Sequence, residues 1–446
     1  MQPFKRQISR IRWPLASLCL AAGLLTLLAG CTLAPRPTPA PSPTPTRTVT
    51  PSTPAATATP IATTPAIVTL TVWTIPRFAP GDGDAAARTL KAQAEAFVKA
   101  YPSYRLEWII RPPASSGGVI DFLLSAHEVA PGILPDIAVL DTREMGAASR
   151  AGILQALDGV ISDEIKSDLF PFARSATTID GQWFGLPFEA DVEHLLYNTK
   201  SMDAPPLTWT DVLSKGLRYG FAAGGENGRA NDMFVVQYLA RGGRLTDQNN
   251  QPVLDEAPLA ATLAFYADGK RLKVLPETLI DLKSPEEVLP AYISNTLTLC
   301  NVRSDLYLAA RAQLKNTGFA AIPTWNGAVA SAGRARALVV VAPDAARLEA
   351  AKAFLAWFSD AERNAAWTRA AGRLPARLAA LLQWDSSDSY AAFVRWQLAS
   401  AQALPSTSEY DRVYLIMQQA VRDVWVGGVS PAEAARRAVA AVAGKG

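Results

Sequence analysis

The stretch from Gly185 to Asn198, GLPFEADVEHLLYN, limits the architecture more than any other part of this chain. After Pro187, the acids Glu189, Asp191 and Glu193 alternate with Ala190 and Val192, and Leu195, Leu196 and Tyr197 then resume an apolar run. A period of two is the mark of extended chain, but here the polar set is entirely carboxylate. Acids held in a strand between two apolar blocks point to a crossing from one folded body to another, with the acids facing the gap. The competing reading is an edge strand whose charges keep other chains from pairing with it.

The beginning of the 446-residue chain reads as an address. Lys5, Arg6, Arg10 and Arg12 form a basic region, an apolar run extends from Leu15 to Leu28, and the run ends in Leu28-Ala29-Gly30-Cys31. Small residues suit a signal peptidase, and the run is short and one-sided for a membrane span. Its ending resembles the bacterial lipobox. Residues 1–30 are therefore expected to be a lipoprotein signal peptide, with Cys31 lipidated as the new N-terminus. Two acyl chains suffice for stable anchoring, which places the remainder outside the cytoplasm, tethered to the cell membrane.

Of the three cysteines, Cys19 leaves with the leader and Cys31 carries lipid, so Cys300 has no intramolecular partner and the fold must stand on its core. Residues 31–66 are Pro/Thr-rich, with Arg36 and Arg47 their only charges, and read as a disordered spacer. The formal charge of +3 includes the four leader cations; the mature chain counts −1, and residues 67–446 count −3. No basic face is implied, so nucleic acid is not an expected partner.

Residues 67–446 are more than one core usually holds, and two lobes are expected. Thr69–Thr74 is a strand, and a helix follows with Leu90, Ala94, Phe97 and Val98 at helical spacing. Tyr104–Ile110, a helix at Asp121–His127 and the buried strand Asp136–Leu140 continue the alternation. That order specifies a mainly parallel sheet with helices on both faces, in which ligands sit beyond the carboxyl ends of strands. Trp73 to Arg77 and Asp141 to Arg143 occupy such positions. A second α/β body follows from about 195, with a glycine-rich polar loop at Gly224–Asn231 and a short strand at Thr296–Leu299 before Asn301 and Arg303. Phe319–Pro323 reads as a crossing back, and Ala337–Val341 as a buried strand.

In their order and spacing these pieces resemble the extracellular solute-binding proteins, family 1, of ABC importers, the large family that includes maltose-binding protein. The motifs are the TVWT strand, Tyr101-Pro102, Pro135-Asp136-Ile137, Gly152-Ile153-Leu154, Asp180-Gly181 through Leu186-Pro187 to Tyr197-Asn198, Thr208-Trp209, Ile322-Pro323 and Gly372-Arg373-Leu374-Pro375. The resemblance implies an α/β, two-lobe periplasmic-binding-protein-like fold joined by hinge strands, with solute bound in the cleft and delivered to the transmembrane subunits of an ABC permease. It implies lobe 1 at about 67–189 and 323–371, and lobe 2 at about 194–320 and 372–446. The hinge residues it implies are Glu189, Asp191 and Glu193, then Ile322 and Pro323.

Sugar-binding relatives place a cleft carboxylate at the position of Asp191. The ligand-binding set implied is Trp73 as stacking platform, Asp141 and Asp191 as hydroxyl acceptors, and Arg77, Arg143, Asn227, Arg229 and Arg303 as donors or mixed partners. The chain departs from maltose-type members in carrying Asn301 and Arg303 where they have Gly and Trp, and Leu140 and Arg143 where they have an aromatic and an acid. Arginines with few stacking rings favour a smaller or acidic sugar, a phosphorylated polyol or another polar solute over maltose.

An enzyme is not expected. A glycoside hydrolase needs two carboxylates flanking one bond, and Glu189 and Glu193 share a single strand. The two histidines, His127 and His194, have no second ligand at metal spacing, so neither metal nor cofactor is expected, and His194 reads as a satisfied hinge residue. No Gly-x-Ser-x-Gly nucleophile elbow is present. A monomeric importer component is the leading reading; a secreted carbohydrate-active enzyme and a cell-surface adhesin remain the alternatives.

Overall fold

Strand β1 (Val68–Thr74) lies parallel to β2 (Tyr104–Ile110) along its whole length, from Val68 opposite Tyr104 to Thr74 opposite Ile110, and parallel to β3 (Ile137–Asp141) on its other side. The linking helices, Ala85–Ala100 and Val119–Val129, make this the expected parallel unit. Ala85–Ala100 begins where the Asp84 side chain accepts from the Ala87 N–H, and it buries Ala86, Leu90, Ala94 and Phe97 along one stripe. The computed structural model describes residues 67–112, 117–249, 251–341, 344–405 and 408–444; the leader, Cys31 and the 31–66 spacer lie outside them. No helix of the described residues is long and apolar enough to cross a membrane.

Two short strands, β4 (Thr178–Ile179) and β5 (Gln182–Trp183), form a hairpin whose turn puts Asp180 and Gly181 at positive φ. The thirteen-residue β6 (Leu186–Asn198) follows. The remaining strands are β7 (Tyr219–Gly220), β8 (Leu299–Arg303), β9 (Thr317–Ala320), β10 (Ala332–Val340) and β11 (Gln402–Ala403). The order is β2-β1-β3-β10-β6-β8-β7, with β11 beside β10 and β9 beside β6; β10 runs antiparallel to both β3 and β6.

Strand β6 belongs to two sheets in succession. From Leu186 to Val192 it pairs with β10, and from Glu193 to Tyr197 it pairs with β8, with β9 joining from Leu195. The acidic segment is therefore where the strand changes partner. Beyond it, neighbouring residues face opposite cores, as the pleat requires. Leu196, Cys300 and Val302 enter the core that runs on from β1, β3 and β10, whereas Leu195 and Leu299 enter a second core built on Phe221, Phe234, Tyr266 and Met417. The helices of that second body, Glu256–Arg271, Ser408–Trp425 and Pro431–Val442, pack on one another there.

Two boundaries differ from the sequence reading. Ile322 is buried in the second core, the Pro323 carbonyl accepts from the Gln237 amide at 2.9 Å, and the Trp325 indole donates to the Ala240 carbonyl at 3.0 Å. Pro323 has no N–H with which to prolong the β9 ladder, but the chain stays on the second body and rejoins the first sheet only at Gly333, opposite Val192. The chain therefore does not cross back at Ile322 and Pro323, where the hinge was expected; it returns to the first sheet through the small-residue run Ala330–Gly333. Nor does Gly372-Arg373-Leu374-Pro375 lead to the second lobe: the Ala190 N–H donates to the Leu374 carbonyl at 2.7 Å, and Leu381, Tyr390, Val394 and Leu398 are buried in the first core. The chain changes body after β11, between Ala403 and the helix Ser408–Trp425, because that helix carries the next stripe, Tyr410, Val413, Met417 and Val421, that the second core can bury.

Candidate functional site

A cavity of about 380 Å³ opens where β6 changes sheet. Its walls come from the carboxyl end of β3 (Asp141–Glu144), the centre of β6 (Asp191–Glu193), the loop and helix start at Glu226–Asp232, the end of β8 (Arg303), the start of β10 (Ala332–Arg336) and the final crossing near Tyr414. Asp141, Arg143, Asp191, Asn227, Arg229 and Arg303 all line it. Trp73 and Arg77 do not. Trp73 is 2% exposed and packs edge-on against Phe122, with the Arg111 guanidinium 4.9 Å from its ring centre. The expected stacking platform is a core residue because Arg111 and the helix Val119–Val129 cover that end of β1. Arg77 stands behind the wall, 3.5 Å from Glu189.

One wall is a chain of alternating charge. Arg77 reaches Glu189; Arg336 lies 3.5 Å from Glu189 and 3.7 Å from Asp141; and Arg143 donates from its Nε and Nη2 to the two oxygens of Asp141 at 3.0 and 3.1 Å. Burial works against the ionised form of Asp141, but the adjacent Arg143 and Arg336 outweigh it and hold the carboxyl well below the usual range. Fork-shaped pairing of this kind fixes both partners in place.

The facing wall is built on Asp191. Its carboxylate accepts from the Ser304 hydroxyl and, at 3.3 Å, from the Asp305 N–H at the start of the helix Ser304–Ala310, and it lies 3.4 Å from the Arg303 Nε. Burial and the neighbouring Asp305 raise its pKa. Arg303 also pairs with Glu286. In the glycine-rich loop, a Cβ on Gly225 would stand 1.9 Å from the Arg229 carbonyl, and Gly225 has φ +68°; the turn closes this tightly only with glycine there. It presents Asn227, at positive φ, and Arg229, which pairs with Asp411 at 2.8 Å and lies 5.1 Å from the Tyr414 ring centre.

Several wall residues were not named from the sequence. Arg334 and Asp232 form an ion pair at 2.5 Å that ties β10 to the start of the helix Asp232–Ala240. Arg336, Glu144 and Tyr414 also line the cavity. A signal for the arginines was present: Arg334 and Arg336 alternate with Ala335 and Ala337 just ahead of the apolar run, extending the period of two. His194 is fully buried, its Nε2 3.0 Å from the Tyr390 hydroxyl, and burial pushes its pKa down to about 4. Among the described residues no group of three or more His, Cys, Asp or Glu is placed to hold a metal ion.

Two cavity acids predict a pH dependence. Burial, with Asp141 adding to it, pushes Glu144 up to about 7, and burial with Asp232 nearby pushes Glu193 up to about 7. An acid whose folded pKa is raised contributes stability that is complete below its unfolded value and is lost as pH rises through the folded one. His194, depressed to about 4, acts in the opposite sense, its contribution fading below its ordinary value of 6.5. The glutamates prevail, so the ligand-free chain is expected to gain about 2 kcal/mol between pH 8 and pH 6. Urea unfolding at the two pH values measures this, and Glu144→Gln with Glu193→Gln should abolish the gain. A midpoint that falls toward pH 6 in the unsubstituted chain would contradict the assignment.

Residues 94–393 match a family model described as bacterial extracellular solute-binding protein. Over 140 residues the chain is 26% identical to the maltotriose-binding protein of Pyrococcus abyssi (strain GE5 / Orsay), an overlap of 30% of this chain and 31% of that relative. It is similar in structure to the sugar-binding protein MalE from the phytopathogen Xanthomonas citri, with a TM-score of 0.70 at 19% identity over 85% of this chain and 98% of that one. A cyclic alpha-maltosyl-1,6-maltose binding protein from Arthrobacter globiformis gives a TM-score of 0.67 at 22% identity, covering 85% and 100% of the two chains. At such identities these structures speak for the fold, the two-lobe architecture expected from the sequence. Together with the family match over most of the globular part, it shows that the chain belongs to the bacterial extracellular solute-binding proteins.

Proposed function

We propose that this protein is the substrate-binding lipoprotein of an ABC importer. It takes a sugar or sugar derivative into the cavity, closes its two bodies on it and presents the closed form to a membrane permease. One observation carries the reading: the cavity sits at the strand shared by two sheets and draws hydrogen-bonding groups from both, Asp141 and Arg334 on one side, Arg229 and Arg303 on the other. A solute that touches both walls stabilises the closed arrangement by its differential contacts, which is all that closure requires. Carboxylates and arginines return the hydrogen bonds a polyol gives up to water. The similarity to a maltotriose-binding protein of Pyrococcus abyssi supports a carbohydrate.

In this reading residues 1–30 are removed, Cys31 is lipidated, residues 31–66 hold the domain off the membrane, and the protein acts as a monomer that binds without turnover. One lobe comprises residues 67–192 and 333–403, the other 193–332 and 404–446. Calorimetric titration with sugars and polyols, paired with small-angle scattering, is the test. Saturable binding accompanied by contraction and no turnover is expected; binding that leaves the scattering profile unchanged would remove hinge closure from the proposal.

A further inference from the structure

Arginines in a binding wall suggest an anionic solute, but here their charge is already spent. Every arginine that lines the cavity is held by a carboxylate: Arg143 by Asp141, Arg229 by Asp411, Arg303 by Asp191, Arg334 by Asp232 and Arg336 by Glu189. Glu144 and Glu193 also line the cavity, are only partly exposed, and form no ion pair among the described residues. The remaining lining cation, Lys283, is exposed at the rim, where water already solvates it. The uncompensated charge facing the interior is thus negative. Tyr414 is the one aromatic ring lining the cavity among the described residues, so stacking on extended sugar faces contributes little, and about 380 Å³ falls at the small end for a ligand pocket.

We infer that the solute is a small sugar or cyclitol bearing a protonated amine, with Glu193 as the acceptor of that amine and Glu144, near Asp141 and Arg336, adding to the negative field of the cavity. The inference rests on the sugar-binding reading and narrows it. A protonated amine donates charge-assisted hydrogen bonds, which are about twice as strong as neutral ones, and it supplies the countercharge that these desolvated carboxylates lack. A phosphorylated or acidic sugar would have to displace existing carboxylates from the arginines while facing two more acids. Around Glu193 stand Asp232, Arg334 and Arg303 with the Asn301 amide; around Glu144 stand Asp141, Arg143 and Arg336. In each case burial prevails over the nearby arginines and keeps the acid hard to ionise without a cation beside it.

The test is calorimetric titration of the mature chain at pH 7.5 with glucosamine and its β-1,4-linked dimer. The comparisons are their N-acetylated counterparts, glucose, maltose and glucose 6-phosphate. The amine-bearing sugars are expected to bind about tenfold or more tightly than the neutral counterparts, and Glu193→Gln should reduce them to parity while neutral binding persists. Glu144→Gln should lower amine affinity in the same direction. Neutral or phosphorylated sugars binding as tightly as the amines would overturn the inference and leave the sugar-binding cleft standing. An amine preference undiminished in both variants would also overturn it. No binding by any member, with cooperative unfolding showing the chain intact, would overturn the sugar reading and this inference together.

Discussion

Asp191→Ala is expected to cost the ligand-free chain about 3 kcal/mol of stability and to weaken solute binding by about a hundredfold or more. The carboxylate is a joint as well as a cavity wall: it accepts from the Ser304 hydroxyl and the Asp305 N–H, and it sits beside the Arg303 Nε at 3.4 Å. With side-chain exposures of 17% for Asp191 and 20% for Arg303, truncation leaves a largely desolvated guanidinium short of a partner and a helix start without its acceptor. Asp191→Asn separates the two roles. It keeps an oxygen for Ser304 and Asp305 and relieves the repulsion from Asp305 that raises the Asp191 pKa. Its stability loss should therefore stay below about 1 kcal/mol, while binding still falls because a neutral amide is a weaker acceptor. Urea unfolding and calorimetry on both variants decide the matter. An alanine variant as stable as the parent would show that the joint does not hold β8 to β6.

The features that the sequence made readable are those with a local period. Val68–Thr74, Tyr104–Ile110 and Ile137–Asp141 alternate with helices whose apolar stripes recur every three or four residues, and β6 shows its acids at a spacing of two. Asp141 and Arg143 could be named because the end of a parallel strand is a known geometric position, and Asn227 and Arg229 as polar residues of a glycine-rich loop in the second body. Strand β8 was placed too early, ending at Leu299, since Asn301 and Arg303 look like loop residues; in the fold they alternate with buried Cys300 and Val302. Trp73 shows the limit of end-of-strand reasoning, because whether such a residue meets solvent depends on Arg111 and Phe122, which arrive from later in the chain. The return at Gly333 was hidden for a related reason. Pro323 ends a ladder locally, but contacts with Gln237, Ala240 and the Leu207–Trp209 backbone, all from far back in the sequence, keep the chain on the second body.

Least legible of all was the pair Arg334 and Asp232, separated by 102 residues and joined only by the fold. Arg334 lies opposite Asp191 in the β10–β6 ladder, on the first sheet, whereas Asp232 opens a helix that buries Met233 and Phe234 in the second core. The ion pair therefore spans the two bodies, and its loss should be asymmetric. Asp232→Ala leaves Arg334 beside Arg143 and Arg303 without its carboxylate, which should destabilise the closed arrangement by about 3 to 5 kcal/mol. Arg334→Ala leaves Asp232 at a helix N-terminus, where the macrodipole still favours a negative charge, so its cost should be roughly half as large. Parting of the two bodies lets water reach the stranded charge, so much of this energy should appear as opening and not as global unfolding. At the same solute concentration the Asp232→Ala chain should then contract less than the parent and bind solute about a hundredfold more weakly, with Arg334→Ala between the two. Equal effects of the two substitutions would reject the helix-dipole compensation. Unchanged scattering and affinity in both would show that closure does not depend on this bridge.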